Sequence, residues 1–178
     1  MTEGEPGVRG LITLVLGGAR SGKSRYAEWL ITTYPKPWIY VATAEARDEE
    51  MAERIAAHKA RRDAGWQTIE AAHGLAEALR AAPSGAAVLI DCLTLWLSNL
   101  MERGTDIETQ ITRLQEALAE RAGPTVIVSN EVGLGIVPDN ALARRFRDLQ
   151  GDLNQRLAAQ ADRVLIMVAG IAVAVKSP

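Results

Sequence analysis

Leu11 to Leu30 reads LITLVLGGARSGKSRYAEWL, and the rest of the chain takes its meaning from this stretch. Leu11, Ile12, Leu14, Val15 and Leu16 form an apolar run with the composition of a strand. The run breaks at Gly17-Gly18-Ala19-Arg20-Ser21-Gly22-Lys23-Ser24, and helical spacing resumes through Tyr26, Ala27 and Leu30. Strand, G-x-x-x-x-G-K-S and helix is the context in which this motif means a phosphate-binding loop. Its glycines let the backbone curl until successive N–H groups face one anion-sized hollow at a helix N-terminus. Lys23 supplies a charge for the β- and γ-phosphates, and the Ser24 hydroxyl is a candidate Mg²⁺ ligand. A flexible Gly/Ser turn that binds nothing would not come framed by both a strand and a helix. Nucleotide binding is the expectation.

The chain has 178 residues, of which 48% are hydrophobic, enough for one globular domain over residues 11–178. Met1 to Gly10, MTEGEPGVRG, is polar and glycine-rich and reads as a flexible leader. The net charge of −2 speaks against a nucleic-acid partner, which is usually gripped by a basic surface. Cys92 is the sole cysteine, which excludes an internal disulfide and fits a reducing, cytoplasmic setting. No run approaches the ~20 apolar residues of a transmembrane helix, and no signal-peptide core opens the chain.

Beyond the first helix the breakers Tyr34-Pro35-Lys36-Pro37 lead into a strand over Trp38 to Thr43. A helix is expected from about Asp48 to Arg62, with Asp48, Glu49 and Glu50 suiting its N-terminal dipole. Thr68 to Glu70 suggests a short strand and Gly74 to Ala82 a short helix. Ala86 to Ile90 is an apolar run ending in Asp91. Leu93 to Met101 reads as a very apolar helix, buried or at an interface, and Ile107 to Arg121 as an amphipathic one stopped by Gly123-Pro124. Thr125 to Ser129 is another strand. Asp139 is read as the cap of a long helix to Gln160, and two final strands, Arg163 to Val168 and Ile171 to Val175, meet at Gly170. Strands alternating with helices imply a mostly parallel sheet in a three-layer α/β fold, with a C-terminal antiparallel hairpin.

Asp91 closes the run VLID, where a central strand would deliver a carboxylate beside the phosphate loop to hold Mg²⁺ directly or through water. It would equally serve as a helix N-cap. Met51, Ile55, His58 and Arg62 share one helical stripe, so His58 continues an inward-facing row. A lone histidine on such a row is more often a hydrogen-bonded structural residue than a catalyst. Lys59, Arg61 and Arg62 beside it form a cationic turn suited to a polyphosphate, or to a solvated helix end. His73, before Gly74, has no such company. Glu131, arriving after TVIVS, either orients a substrate hydroxyl or caps the next loop.

Taken together these segments resemble the bifunctional adenosylcobinamide kinase/adenosylcobinamide-phosphate guanylyltransferase family of cobalamin biosynthesis. The matching stretches are GGARSGKS (17–24), YVATA (40–44), DEEMAERIAAHKARRDAGWQTIE (48–70), LIDCLTLWLSNL (89–100), VSNEVGLGIVPDNALARRFRDLQGDLNQRLA (128–158) and ADRVLIMVAGI (161–171). The loop is generic to nucleotide-binding proteins, whereas the H-K-x-R-R-x-x-x-W-x-T-x-E and N-E-V-G-x-G-I-V-P runs are specific to this family. The resemblance implies a RecA-like P-loop fold, a homotrimer and two activities. One is phosphorylation of adenosylcobinamide with ATP or GTP. The other is transfer of GMP from GTP to adenosylcobinamide phosphate through a guanylyl-histidine at His58. It implies nucleotide contacts from Gly17, Gly18, Ala19, Arg20, Ser21, Gly22, Lys23 and Ser24, from Ala42, Thr43 and Ala44, and from Lys59, Ala60, Arg61, Arg62, Glu70 and Asp91. Glu70 would accept from the guanine ring N–H and exocyclic amine. Three places depart from the family pattern: Asp63 and Ala172 stand where proline is frequent, and the N-terminal extension lies outside it.

Two rival readings share the loop and Asp91. A P-loop small-molecule kinase without the second activity gives His58 no special role. A RecA-like motor or assembly module usually acts on a polymer, against which the acidic balance and the length count.

Overall fold

The computed structural model describes residues 9–177, apart from the side chain of Arg54. The strands β1 (Ile12–Gly17), β2 (Trp38–Ala42), β3 (Trp66–Glu70), β4 (Ala87–Asp91), β5 (Thr125–Val128), β6 (Arg163–Val168) and β7 (Ile171–Lys176) form one seven-stranded sheet. Its order is β3-β2-β4-β5-β1-β6-β7. All neighbours are parallel except β6 and β7, which close the sheet as an antiparallel edge hairpin.

The two-residue period of the strands divides the core in two. Leu14, Val41, Val88, Ile90 and Ile127 point to one face, where α3 (Leu75–Ala81), α4 (Leu93–Glu102), α5 (Ile107–Glu120) and α6 (Ala141–Gln160) cover them. Val15, Tyr40, Leu89, Val126 and Leu165 point to the other, under Ala27, Leu30 and Ile31 of α1 (Lys23–Thr32). Both faces being covered explains why β4 and β5 read as unbroken apolar runs.

Helix starts follow local chemistry. Asp48 accepts from the Met51 amide at 2.7 Å and caps α2 (Glu49–Ala60), whose first turn carries Glu49 and Glu50. The cap of α6 is Asn140, accepting from Ala143 at 2.7 Å, and not the preceding Asp139. Arg144 donates instead to the carbonyls of Pro138 and Asp139, fixing the entry into the helix. α2 stops at Ala60, shorter than the expected run to Arg62. Asp63, where proline would end the helix rigidly, accepts from the Gly65 amide at 2.8 Å and makes the turn itself. β3 begins earlier than expected, at Trp66, because Trp66 packs against Trp38 and Tyr40 across the sheet.

α4 is core. Leu93, Trp96, Leu97 and Leu100 are buried within the chain, so of the two expectations for this helix, buried or at an interface, burial is the one observed. Arg9 and Gly10, read as the end of a leader, are tied down: Arg9 pairs with Asp162 at 2.6 Å and the Gly10 amide donates to Arg121. Residues 1–8 of that segment lie outside the described residues. Arg121 is itself buried and donates to the carbonyls of Leu79, Pro83 and Ala86, stitching the end of α3 to the start of β4. Among the described residues no helix is long and apolar enough to cross a membrane.

Candidate active site

Gly17 to Ser24, Ala42 to Ala44, Glu70, Asp91 and Glu131 sit at the C-terminal end of a parallel strand or in the segment that follows it, the edge where open α/β sheets bind ligands, and the end of α2 brings His58, Lys59, Arg61 and Arg62 to them. Register does the assembly. Ala42 stands opposite Asp91 on one side and Glu70 on the other, and Asp91 stands opposite Val128. A side chain from β4 and the loop after β2 are therefore brought beside the loop after β1.

The phosphate loop runs from Gly17 into α1. Gly17 and Gly22 have φ of 149° and 94°, and Gly22 is the α1 N-cap in a left-handed conformation. A Cβ on Gly17 would meet the Met167 carbonyl oxygen at 2.7 Å, so the loop lies directly on β6. The Gly170 amide donates to the Ser21 carbonyl, and Glu131 donates its amide to the Gly17 carbonyl. Lys23 is buried with its ammonium on the Gly18 carbonyl at 2.6 Å. Arg20, Ser21, Gly22, Lys23, Ser24, Arg25, His58 and Arg61 line a cavity of about 380 Å³. Among these walls are the helix N-terminus and three arginines, a setting for phosphates.

A larger cavity of about 670 Å³ opens beside it, and Ser24 and His58 line both. Met51, Ile55, His58 and Arg62, the predicted stripe of α2, form one wall. Ala42, Ala44, Tyr40, Glu70, Asp91, Cys92 and Leu95 form much of the rest. This chamber is mixed apolar and polar, suiting a base and ribose. Arg62 lies over the Tyr40 ring at 3.6 Å, and its Nη1 is buried with no partner. Glu70 reaches Lys59 at 3.4 Å on the rim.

His58 Nδ1 is surrounded by Arg61 Nη2 at 3.1 Å, Glu28 Oε1 at 3.7 Å and Asp91 Oδ2 at 3.8 Å. Burial raises the Glu28 carboxyl, but its hydrogen bonding to His58 and the Arg61 guanidinium outweigh that and hold it below the usual range. Glu28 thus stays ionised through neutral pH, losing its charge only as pH falls past a point below its ordinary 4.5. Asp91 Oδ2 accepts the Tyr40 hydroxyl at 3.0 Å, and burial, then the Asp91 charge, push that phenol far up.

Other positions take structural parts. Thr43 is fully buried, and its hydroxyl accepts from the Cys92 amide and donates to the Cys92 carbonyl, so it shapes the cavity from behind. Ala60 is exposed and lines neither cavity. Gly17, Gly18 and Ala19 line neither cavity with side chains, and the loop offers its backbone there. Glu131 caps its own loop, accepting from Gly133 at 2.6 Å. His73 stands apart from the cationic turn of His58, with its Nε2 3.2 Å from Glu45 Oε1. Glu28, Tyr40 and Asn99 receive no role from the sequence, although Tyr40 and Asn99 fall within stretches that carry the family resemblance. Ser24 and Glu28 are four residues apart on α1, and that spacing alone marks Glu28 as sharing the phosphate-loop face.

A parallel sheet with the G-x-x-x-x-G-K-S loop between its β1 and α1 defines a P-loop nucleotide-binding protein of the RecA-like α/β class. Solved structures agree on the fold. A Pyrococcus horikoshii OT3 protein matches with a TM-score of 0.60 at 11% identity, covering 95% of this chain and 87% of that one. The RadB recombinase matches at 0.52 and 15% identity, over 89% and 74%. Within that class the model for the family described as cobinamide kinase / cobinamide phosphate guanyltransferase matches residues 13–175, and this chain belongs to that family. The bifunctional adenosylcobalamin biosynthesis protein CobP of Pseudomonas aeruginosa is 46% identical, covering 92% of this chain and 96% of its own. The CobU proteins of Salmonella typhimurium and Escherichia coli, named in the same way, are 45% and 40% identical over 93% of this chain and the whole of theirs. The chain is a nucleotide-dependent transferase of cobalamin biosynthesis, kinase and guanylyltransferase.

Proposed function

We propose that the two activities share one bipartite site, with His58 as the group that carries GMP from GTP to adenosylcobinamide phosphate. The observation that carries this reading is the position of His58, which lines both the phosphate-loop hollow and the larger chamber. A nucleotide with its phosphates on residues 17–24 and its base in the larger chamber would pass the imidazole at the α-phosphate. In the kinase half, ATP or GTP gives its γ-phosphoryl group to the aminopropanol hydroxyl of adenosylcobinamide, by positioning and charge stabilisation from Lys23 and the loop amides. In the second half His58 attacks the α-phosphorus of GTP. A P–N bond forms, and the bond to the β-phosphate oxygen breaks with its electron pair leaving on pyrophosphate. A phosphate oxygen of adenosylcobinamide phosphate then attacks the same phosphorus, returns the electron pair to the imidazole and yields adenosylcobinamide-GDP.

Ser24 and Asp91 line the same chamber and suit Mg²⁺ arriving with the nucleotide. Among the described residues no three His, Cys, Asp or Glu side chains converge on a metal position, so phosphate oxygens would complete the coordination. Bound there, the ion would neutralise charge on the phosphates. Glu70, on the chamber rim, is the candidate guanine acceptor, and Lys59, Arg61 and Arg62 the candidate phosphate cations.

The homotrimer belongs to this reading too, as does action in the cytoplasm. With α4 buried, support for an interface shifts to the exposed apolar side chains Leu134, Ile136, Val137 and Leu142, and to Ile171, Val173 and Val175 on the edge strand β7.

Intact-mass measurement after incubation with GTP and Mg²⁺, without corrinoid, tests the core of the proposal. A covalent GMP adduct is expected, because the first half of a two-step transfer needs no acceptor. Unmodified protein under those conditions would leave the plain kinase as the better reading.

A further inference from the structure

Glu28 belongs to no motif, yet its carboxylate is placed at the reacting histidine. Its Oε1 lies 3.7 Å from His58 Nδ1 and 3.3 Å from Arg61 Nη2, and its side chain is only 13% exposed. Arg61 Nη2 is in turn 3.1 Å from His58 Nδ1, so the guanidinium touches both ring and carboxylate and competes for each. Arg61 also lines the phosphate-loop cavity. A bound triphosphate offers that guanidinium a more highly charged partner, and its departure leaves the carboxylate to Nδ1. Asp91, the other carboxylate near Nδ1, is already engaged by the Tyr40 hydroxyl.

We propose that Glu28 is a positioning residue for guanylyl transfer: it accepts the His58 Nδ1 proton, leaving the lone pair on Nε2 to attack the α-phosphorus. The present 3.7 Å is longer than a formed hydrogen bond, and such contacts commonly tighten once substrate is bound. When Nε2 takes phosphorus the ring becomes cationic with its proton still on Nδ1, and the adjacent carboxylate stabilises that charge. When the acceptor phosphate displaces Nε2, the electron pair returns to the ring and the Nδ1 proton has not moved. The logic is that of the histidine-orienting carboxylate in nucleophile–base–acid constellations, transferred here to a histidine that is itself the nucleophile. Burial alone would leave this carboxyl easier to protonate; its partners reverse that and keep it charged for the task.

The proposal rests on His58 as nucleophile, and the experiment separates the two. Single-turnover incorporation of GMP is measured at saturating GTP for the full chain and for Glu28→Gln, Glu28→Asp and His58→Ala, with the GTP concentration dependence and thermal melting of each. Isotope-edited NMR of the imidazole nitrogens reads the His58 tautomer. Expected are a rate loss of roughly 10²–10⁴-fold in Glu28→Gln with half-saturating GTP within about threefold, and partial recovery in Glu28→Asp, which keeps the charge. With the α,β-methylene analogue of GTP bound, which cannot transfer GMP, the wild type should show the Nδ1–H tautomer. An unchanged rate in Glu28→Gln, a defect wholly cured by more GTP, or an Nε2–H tautomer in the wild type bound to that analogue overturns the role of Glu28. The NMR result does so even if a variant fails to fold. Incorporation persisting in His58→Ala overturns the nucleophile instead.

Discussion

At Asp91 one carboxylate holds a tyrosine hydroxyl, faces a histidine and ends a strand, and its charge is felt by the Tyr40 phenol and the Cys92 thiol. The thiol of Cys92 is the simplest case to measure. Burial, and then the adjacent Asp91 charge, push it from an ordinary 9.0 up to about 11, so about 100-fold less thiolate is present near neutral pH. A thiol-disulfide or maleimide titration of the folded chain near pH 8 should therefore run about 100-fold slower than with a free cysteine, with normal reactivity in denaturant. Reaction at the free-cysteine rate would show the pocket floor to be more open than drawn. His58 could be found in the sequence because helical spacing puts it in line with Met51 and Ile55, and that row does face the cavity. Tyr40 could not, because its link to Asp91 depends on the register between β2 and β4, which no local pattern specifies. Asn99 was hidden for the same reason. Within an apolar helix it looks like an interruption, yet it donates to the carbonyls of Thr43 and Ala72 and accepts from Arg47, so it ties the β2–α2 and β3–α3 loops together behind the chamber.

α2 differs from the other helices in having no fully buried residue among the side chains described. Its apolar row of Met51 and Ile55 faces a cavity where α1 presents Ala27, Leu30 and Ile31 to the core. Little apolar packing therefore opposes its local opening. The same helix carries His58 and leads into Arg61 and Arg62, so a nucleotide occupying both cavities would pin it from within. Amide hydrogen exchange over Glu49–Ala60 should be the fastest of the helices without nucleotide and should slow at least about tenfold with GTP. Exchange in α2 that matches α4 and ignores GTP would contradict this. The helix as an element was legible from its capping acids and its stripe. Its early end was not, since Asp63 makes by a side-chain hydrogen bond the turn that a proline would have imposed by ring geometry.

For the molecule as a whole, the sheet order places β1 between β5 and β6 and gathers the ends of β1 to β5 on one edge, so loop, carboxylates and histidine converge from segments far apart in the chain. The parallel topology and edge hairpin were readable because strand and helix periods alternate and Gly170 marks the turn. Which helices share a face was not, because each helix states only that it has an apolar side. The proposed chemistry has one consequence above all others, a phosphoramidate on His58. That bond is labile in acid and comparatively stable in base, unlike a phosphodiester on serine or tyrosine. The deciding measurement is incorporation from GTP radiolabelled at the α-phosphate, with Mg²⁺ and no corrinoid, into wild type, His58→Ala and His73→Ala, each followed by acid or base treatment. The account predicts label in wild type and His73→Ala that acid removes and base spares, and none in His58→Ala. Label that survives in His58→Ala, or that withstands acid, would contradict it.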